Sequence, residues 1–194
     1  MATSLSEAEI LERFAQVVAR SLRIEPALVT PDAYLSDLGA ESLDLLEITM
    51  EAEEEFDILI PQKTILQTAH EVFGDGVILH EGRLTEQGRR FLLRRMPELD
   101  PATVAADAAV TDLARAFQRV GTWVRMIQGL AEHTPRECPS CKAGLPKAVA
   151  GRATCASCGT GVDLPSGDDL NRRWVEEYRR TEPGPVAPDS ARAV

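Results

Sequence analysis

The sequence predicts a mainly α-helical protein with a small metal-held module towards its C-terminus. Apolar residues recur at helical spacing in one segment after another. Hydrophobic residues make up 44% of the chain and aromatics only 5%, so the helices are expected to pack through aliphatic side chains. Two Cys-x-x-Cys pairs, Cys138/Cys141 and Cys155/Cys158, stand thirteen residues apart. A length of 194 residues leaves room for one ordinary domain and one small one.

In chain order, Ser6-Glu7-Ala8-Glu9 reads as a capping box, in which serine and glutamate each satisfy a free backbone donor. Ile10, Phe14, Val17, Val18 and Leu22 then share one face of a first helix ending near Leu22. Pro26 and Pro31 break any continuation, and Leu28, Val29 and Leu35 in the following loop are expected to cover the core. Gly39 supplies a tight turn before a second helix over 42–56. On that helix Leu43, Leu46, Met50 and Ala52 recur at helical spacing, with Asp44, Glu47, Glu51, Glu54 and Glu55 on the other face. Ser42 sits at its start, where unpaired N–H groups and the helix dipole favour a phosphate; an ordinary N-cap serine is the competing reading.

A short helix is expected within 62–73, stopped by Gly74-Asp75-Gly76, then a hairpin turning at Glu81-Gly82. A basic helix from Thr85 carries Arg89, Arg90, Arg94 and Arg95 and ends at Pro97. Asp100-Pro101 reads as the cap and first residue of another short helical piece. A further helix is expected from Thr111 or Asp112 to about Glu132, with Phe117, Val120, Val124 and Ile127 inward. Asp168-Asp169 is expected to cap a last helix through Leu170, Trp174, Val175 and Tyr178, and residues 182–194 read as a disordered tail.

Charge is unevenly shared. Residues 1–80 hold sixteen Asp/Glu and four Lys/Arg, a net of −12, so the formal total of −10 leaves +2 for residues 81–194. Such acidity opposes nucleic-acid binding and favours basic protein partners. No run is long and apolar enough for a bilayer, and no signal pattern opens the chain. A cytoplasmic location, away from membranes, is the expectation. Four cysteines in that setting argue for metal or redox chemistry before structural disulfides.

The run Leu38-Gly39-Ala40-Glu41-Ser42-Leu43-Asp44, continued by Glu47, Met50, Glu53-Glu54-Glu55-Phe56-Asp57 and Ile60-Pro61, resembles the acyl carrier proteins. In that family the serine of an Asp-Ser-Leu motif bears a phosphopantetheine arm, and the acidic helix behind it is the docking surface. The resemblance implies Ser42 as attachment point and Glu41, Leu43, Asp44 and Glu47 as docking residues. It implies a phosphopantetheinyl transferase and acyl-loading and acyl-transferring enzymes with basic docking surfaces as partners. Glu41 departs from the family's aspartate but keeps its carboxylate. Val120-Gly121-Thr122 resembles the Val-Gly-Asp start of the last carrier helix, so an acyl-carrier-like helical domain is expected over 1–133, with an insertion at about 74–118. The cargo is expected to be an acyl group of fatty acid or polyketide biosynthesis, or an aminoacyl group.

Each Cys-x-x-Cys pair presents two thiolates from one tight turn, and two such knuckles complete a tetrahedron around zinc. Cys138, Cys141, Cys155 and Cys158 leave no open position, so the metal is expected to be structural. A dithiol redox centre is the alternative, though it needs one pair only and no βαβ pattern surrounds either. The segment resembles a rubredoxin-like zinc ribbon over about 136–164, placed as a module at 134–165 before a C-terminal helix at 166–181. His70, His80 and His133 are scattered, and no catalytic triad or phosphate loop appears. The chain is expected to be a non-catalytic carrier; a zinc-ribbon adaptor that is never modified is the alternative.

Overall fold

The structure is a computed structural model and describes residues 5–102 and 104–182. It is mainly α, with six helices and four strands of two or three residues among the described residues. None of these helices is long and apolar enough to cross a membrane. The described residues form two compact units: 5–61 with 117–167, and 62–102 and 104–116 with 168–182. The tail expected to be disordered lies, from residue 183 onward, outside the described residues.

In the first unit, α1 (Glu7–Leu22) opens on the expected box: Ser6 Oγ accepts from Glu9 N at 3.3 Å, and the Glu9 carboxylate accepts from Ser6 N at 2.8 Å. The Ser6 hydroxyl, donating to the same carboxylate at 2.6 Å, and after it the Ser6 N–H hold the Glu9 carboxyl below its ordinary value. The helix buries Ile10, Phe14, Val17 and Val18 and packs against α2 (Ser42–Phe56) and α5 (Val120–His133). Phe14 stacks on Trp123 with ring centroids 5.4 Å apart, a large anchor for an aromatic-poor core. The loop between α1 and α2 is pinned by the entry to α5. Leu35 N donates to Gln118 O, Val120 N to Ala33 O and Gly121 N to Pro31 O, at 2.9–3.0 Å. A Cβ at Gly121 would stand 3.1 Å from Pro31 O, which is why glycine occupies that position.

The helix expected from Thr111 or Asp112 starts later. Residues Ala114–Gln118 form a 3-10 turn, and α5 begins at Val120 behind Arg119. The pairing of 118–121 with the 31–35 loop sets that boundary, and periodicity does not report it. Val120, Val124 and Ile127 are buried as expected, with Trp123 and Leu130 joining them, while Phe117 is half-buried.

In the second unit, α3 (Ile65–Phe73) starts on a capping box between Thr64 and Gln67. Strands β1 (Leu79–His80) and β2 (Arg83–Leu84) pair antiparallel, Leu79 opposite Leu84, about a turn in which Glu81 and Gly82 have φ of 48° and 73°. Positive φ at both central residues is the turn geometry that matches strand twist. The 104–113 loop folds along this hairpin: Leu84 N donates to Ala108 O and Asp107 N to Leu84 O, both at 2.8 Å. Helix α4 (Glu86–Arg95) is capped by Thr85, and its Gly88 lies against Ile78 O, where a Cβ would stand 2.1 Å away. Asp100-Pro101 opens turns rather than a helix. Asp100 Oδ1 accepts from Ala102 N at 2.9 Å, so the side chain closes a local turn in place of a cap.

The last helix, α6 (Gly167–Thr181), begins one residue before Asp168-Asp169, which fill its first turn instead of capping it. A Cβ on Gly167 would meet Pro61 at 2.5 Å. Within the second unit α6 brings Trp174 and Tyr178 to Phe91 of α4, with centroids 5.3 and 5.1 Å apart. Arg94 lies over Tyr178 and Arg95 over Trp174, each 5.4 Å from the ring centroid. Arg89 donates to Val104 O at 2.7 Å and Pro101 O at 2.9 Å. Three of the four arginines of the basic strip thus brace their own unit, and the strip is not simply a solvated face.

Candidate functional site

Two sites stand out, both in the first unit. The first is the start of α2. Gly39 takes φ of 96°, a conformation that side-chain-bearing residues resist, and turns the chain into the helix. Glu41 occupies the cap position and Ser42 is the first helical residue. The bland reading of Ser42 as an N-cap is thereby corrected. Its hydroxyl is not committed to capping, because the Asp44 carboxylate accepts from Glu41 N at 2.8 Å in that corner. The first internal bond of the helix, Leu45 N to Glu41 O, comes after Ser42, so Ser42 and Leu43 begin the helix with N–H groups that have no internal partner. Ser42 is exposed, as are Glu41, Leu43 and Glu47, and Asp44 is half-buried.

The apolar face of α2 is a second correction. The core is reached by Ile48, Ala52 and Phe56, spaced four residues apart, with Leu45 half-buried. Of the stripe read as packing, only Ala52 is buried. Leu43 is 80% exposed, Leu46 58% and Met50 62%. The sequence held two competing stripes, and Ile48-Ala52-Phe56 is the one that continues into Ile58 and Ile60, which are also buried. The result is an apolar ridge running from Ser42 along the outer side of α2, bordered by Glu47.

The carboxylates towards the C-terminal end of α2 have more internal partners than their density suggests. Arg13 pairs with Glu55 at 2.8 Å, Arg20 with Glu51 at 3.2 Å and Lys147 with Glu54 at 3.8 Å. Glu53 accepts from Ile60 N at 2.8 Å. Glu54 nonetheless stays 81% exposed, and near Ser42 Glu41 and Glu47 are exposed as well.

The second site is the cysteine cluster. Cys138 and Cys155 are buried, and Cys141 and Cys158 exposed. The first knuckle closes through Cys138 N to Ala143 O and Lys142 N to Cys138 O. The second closes through Cys155 N to Thr160 O and Gly159 N to Cys155 O. Lys142 and Gly159 supply the positive φ, 61° and 73°, that these turns need. Strands β3 (Arg152–Thr154) and β4 (Gly161–Asp163) pair behind the second knuckle.

All four Sγ atoms lie within 4.8 Å of one another, with Cys138–Cys158 at 3.6 Å and Cys141–Cys155 at 3.5 Å. A tetrahedral ion with ~2.3 Å bonds to sulfur sets its ligands roughly 3.8 Å apart, so the residues fit a four-thiolate metal site. The spacing is far beyond a disulfide bond. Thr160, through its hydroxyl and its backbone, holds the Cys158 thiol down to about 6. A backbone hydrogen bond at Ala143 favours the Cys141 thiolate, yet the Cys158 and Cys155 thiols outweigh it and push Cys141 up to about 12. Such a cluster shares protons among its sulfurs, and a bound cation takes their place.

Among the described residues the metal-competent group contains no histidine. His133 Nδ1 lies 2.7 Å from Gly129 O on its own helix, and His80 lies 3.5 Å from Asp75. Sequence reasoning missed Thr160, whose signal was its place two residues after Cys158. It also missed Asp57 and Arg136, which meet at the end of α2.

Comparison with known proteins bears on the first site. The family model for the phosphopantetheine attachment site matches residues 12–71. The acyl carrier protein of Cyanidioschyzon merolae is 34% identical over 84 residues, covering 42% of this chain and 92% of that protein. The acyl carrier protein of Thermosynechococcus vestitus is 42% identical over 60 residues, covering 30% of this chain and 74% of that protein. No solved structure matches. The relatives are matched along most of their length, the family model spans α2 and its leading serine, and the chain belongs to the acyl carrier protein family.

Proposed function

We propose that this chain is a non-catalytic carrier whose Ser42 bears the phosphopantetheine arm. The observation that carries the reading is the exposed Ser42 hydroxyl at the first position of α2, beside free N–H groups that suit a phosphate. Within a phosphopantetheinyl transferase, the Ser42 oxygen would attack the pantetheine-bearing phosphorus of coenzyme A, forming a phosphodiester as the pyrophosphate P–O bond breaks and adenosine 3′,5′-bisphosphate leaves, with the serine proton passing to a base of the transferase. The arm's thiol supplies the attachment for an acyl group as a thioester. The protein's own residues present that cargo. Glu41, Asp44 and Glu47 steer basic partner surfaces, and Leu43, continued by Leu46 and Met50, gives the partner an apolar ridge to bury.

The cargo is an acyl intermediate of fatty acid, polyketide or related biosynthesis. Cys138, Cys141, Cys155 and Cys158 hold one structural zinc, since four thiolates suit a soft tetrahedral ion and leave no coordination position open. The 134–165 ribbon is therefore a stabilising or docking element.

The test is loading of the purified chain with a permissive transferase and coenzyme A, read by intact mass. One phosphopantetheine is expected on the native chain and none on Ser42→Ala. A native chain that gains nothing would mark it as an unmodified adaptor.

A further inference from the structure

The ribbon meets the end of α2 through Asp57, beside the Lys147–Glu54 pair. Asp57 follows the last residue of α2 and takes the left-handed conformation, φ 57°, that closes the helix. Its Oδ1 accepts from Ala148 N at 3.0 Å, in the stretch between the two cysteine knuckles. Its Oδ2 lies 4.0 Å from the Arg136 guanidinium, two residues before the first metal-competent cysteine. The same guanidinium reaches Phe56 O, one of the last carbonyls of α2, at 3.5 Å. Beyond Asp57 the chain stays in the ribbon's grip. Leu59 bridges to Ser166, Leu59 O accepts from Gly167 N at 2.9 Å, and Gly151 packs so closely on Leu59 that a Cβ would stand 3.1 Å from it.

We propose that Asp57 is a positioning residue through which metal binding at the ribbon sets the order of α2. This inference rests on the four-cysteine metal reading and on α2 as the presented helix. A helix leaves its last carbonyls without internal partners, and something outside the helix must satisfy them. Here Asp57 N and Ile58 N donate to Glu53 O, Arg13 of α1 reaches Glu55 O at 2.7 Å, and Arg136, beside Asp57, reaches Phe56 O. Both ribbon groups in contact with Asp57 flank metal-competent residues: Arg136 precedes Cys138, and Ala148 lies between Cys141 and Cys155. The intervening stretch has few buried apolar residues to hold it without an ion. Metal loss therefore removes the partners of Asp57 and releases the final turn of α2, while the first turn, closed by Asp44, keeps its own bonds. The last turn of α2 is thus braced from α1 by Arg13 and from the ribbon by Arg136 and the partners of Asp57.

The experiment is amide hydrogen exchange on the full chain, zinc-loaded and after chelation, with the ribbon's own protection confirming that metal has left. Exchange at Phe56, Asp57 and Ile58 should rise about tenfold or more on chelation, with α1 and the first turn of α2 unchanged. Zinc-loaded Asp57→Ala should already show the faster exchange there and respond no further to chelation, while Asp57→Asn, which keeps an acceptor, should fall between. Cys141→Ser, which removes one ligand without a chelator, should match the chelated native chain. An unchanged last turn in the chelated chain, a uniform rise over all of α1 and α2, or an Asp57→Ala chain that keeps the full metal response would each overturn the proposal. None of these readings depends on Ser42 being modified, so a failure here is separate from a failure of the arm assignment.

Discussion

At the scale of single residues, Ser42 and its neighbours divide two tasks that one serine is often read as combining. Glu41 stands at the cap and Asp44 closes the corner, which leaves the Ser42 hydroxyl available for chemistry. Ser42→Ala should therefore change stability by no more than about 0.5 kcal/mol, as expected for an exposed residue with no structural bond. Denaturant unfolding checks this. Asp44→Ala should cost about 0.5–1 kcal/mol by freeing the Glu41 N–H and removing an acid from the helix start. In the second unit, Glu71 accepts hydrogen bonds from Lys63 and Arg172, which hold its carboxyl below the ordinary 4.5. A carboxyl lowered in the folded state adds stability above its unfolded value, and that contribution is lost as pH falls through the folded value. Glu71→Gln should thus flatten the acid-side decline in stability below about pH 4.5, leaving the neutral range almost unchanged.

At the scale of elements, the capping box at Ser6–Glu9 and the turn at Glu81-Gly82 were legible, and the box at Thr64–Gln67 carries the same kind of local signal although only the short helix behind it was expected. Each is a local contract between residues a few positions apart, and no distant packing overrides it. The packing face of α2 was not legible in the same way. Leu43-Leu46-Met50 and Ile48-Ala52-Phe56 both satisfy helical spacing, and only the position of α1 selects the second. The start of α5 was hidden for a similar reason, because a backbone pairing with residues 31–35 fixes it. Four cysteines at matched spacing were legible as one cluster, since each pair needs only a tight turn to present its thiols. Asp57 was not, because its partners lie some eighty or ninety residues away. Gly88 gives the sharpest test at this scale. A methyl there would collide with Ile78 O, so Gly88→Ala should destabilise the second unit by ~3 kcal/mol or more, read from its thermal transition.

At the scale of the whole molecule, α1, α2, α5 and the ribbon belong to one compact unit, which the chain leaves after Pro61 and rejoins at Phe117. The sequence alone placed the ribbon as a module of its own at 134–165. Contacts at Asp57 and Leu59 tie the ribbon to the end of α2, so the effect of chelation should pass from the ribbon into the last turn of α2 rather than stop at the ribbon. Metal analysis should find one zinc per chain. All of this serves a presentation role, and that role stands or falls with the arm. The most direct measurement is fragment mass spectrometry of the Ser42-containing peptide from protein isolated from its own cells. The account predicts phosphopantetheine on Ser42, in part carrying an acyl thioester whose mass names the cargo. An unmodified Ser42 throughout that population, or an arm on another residue, would contradict it.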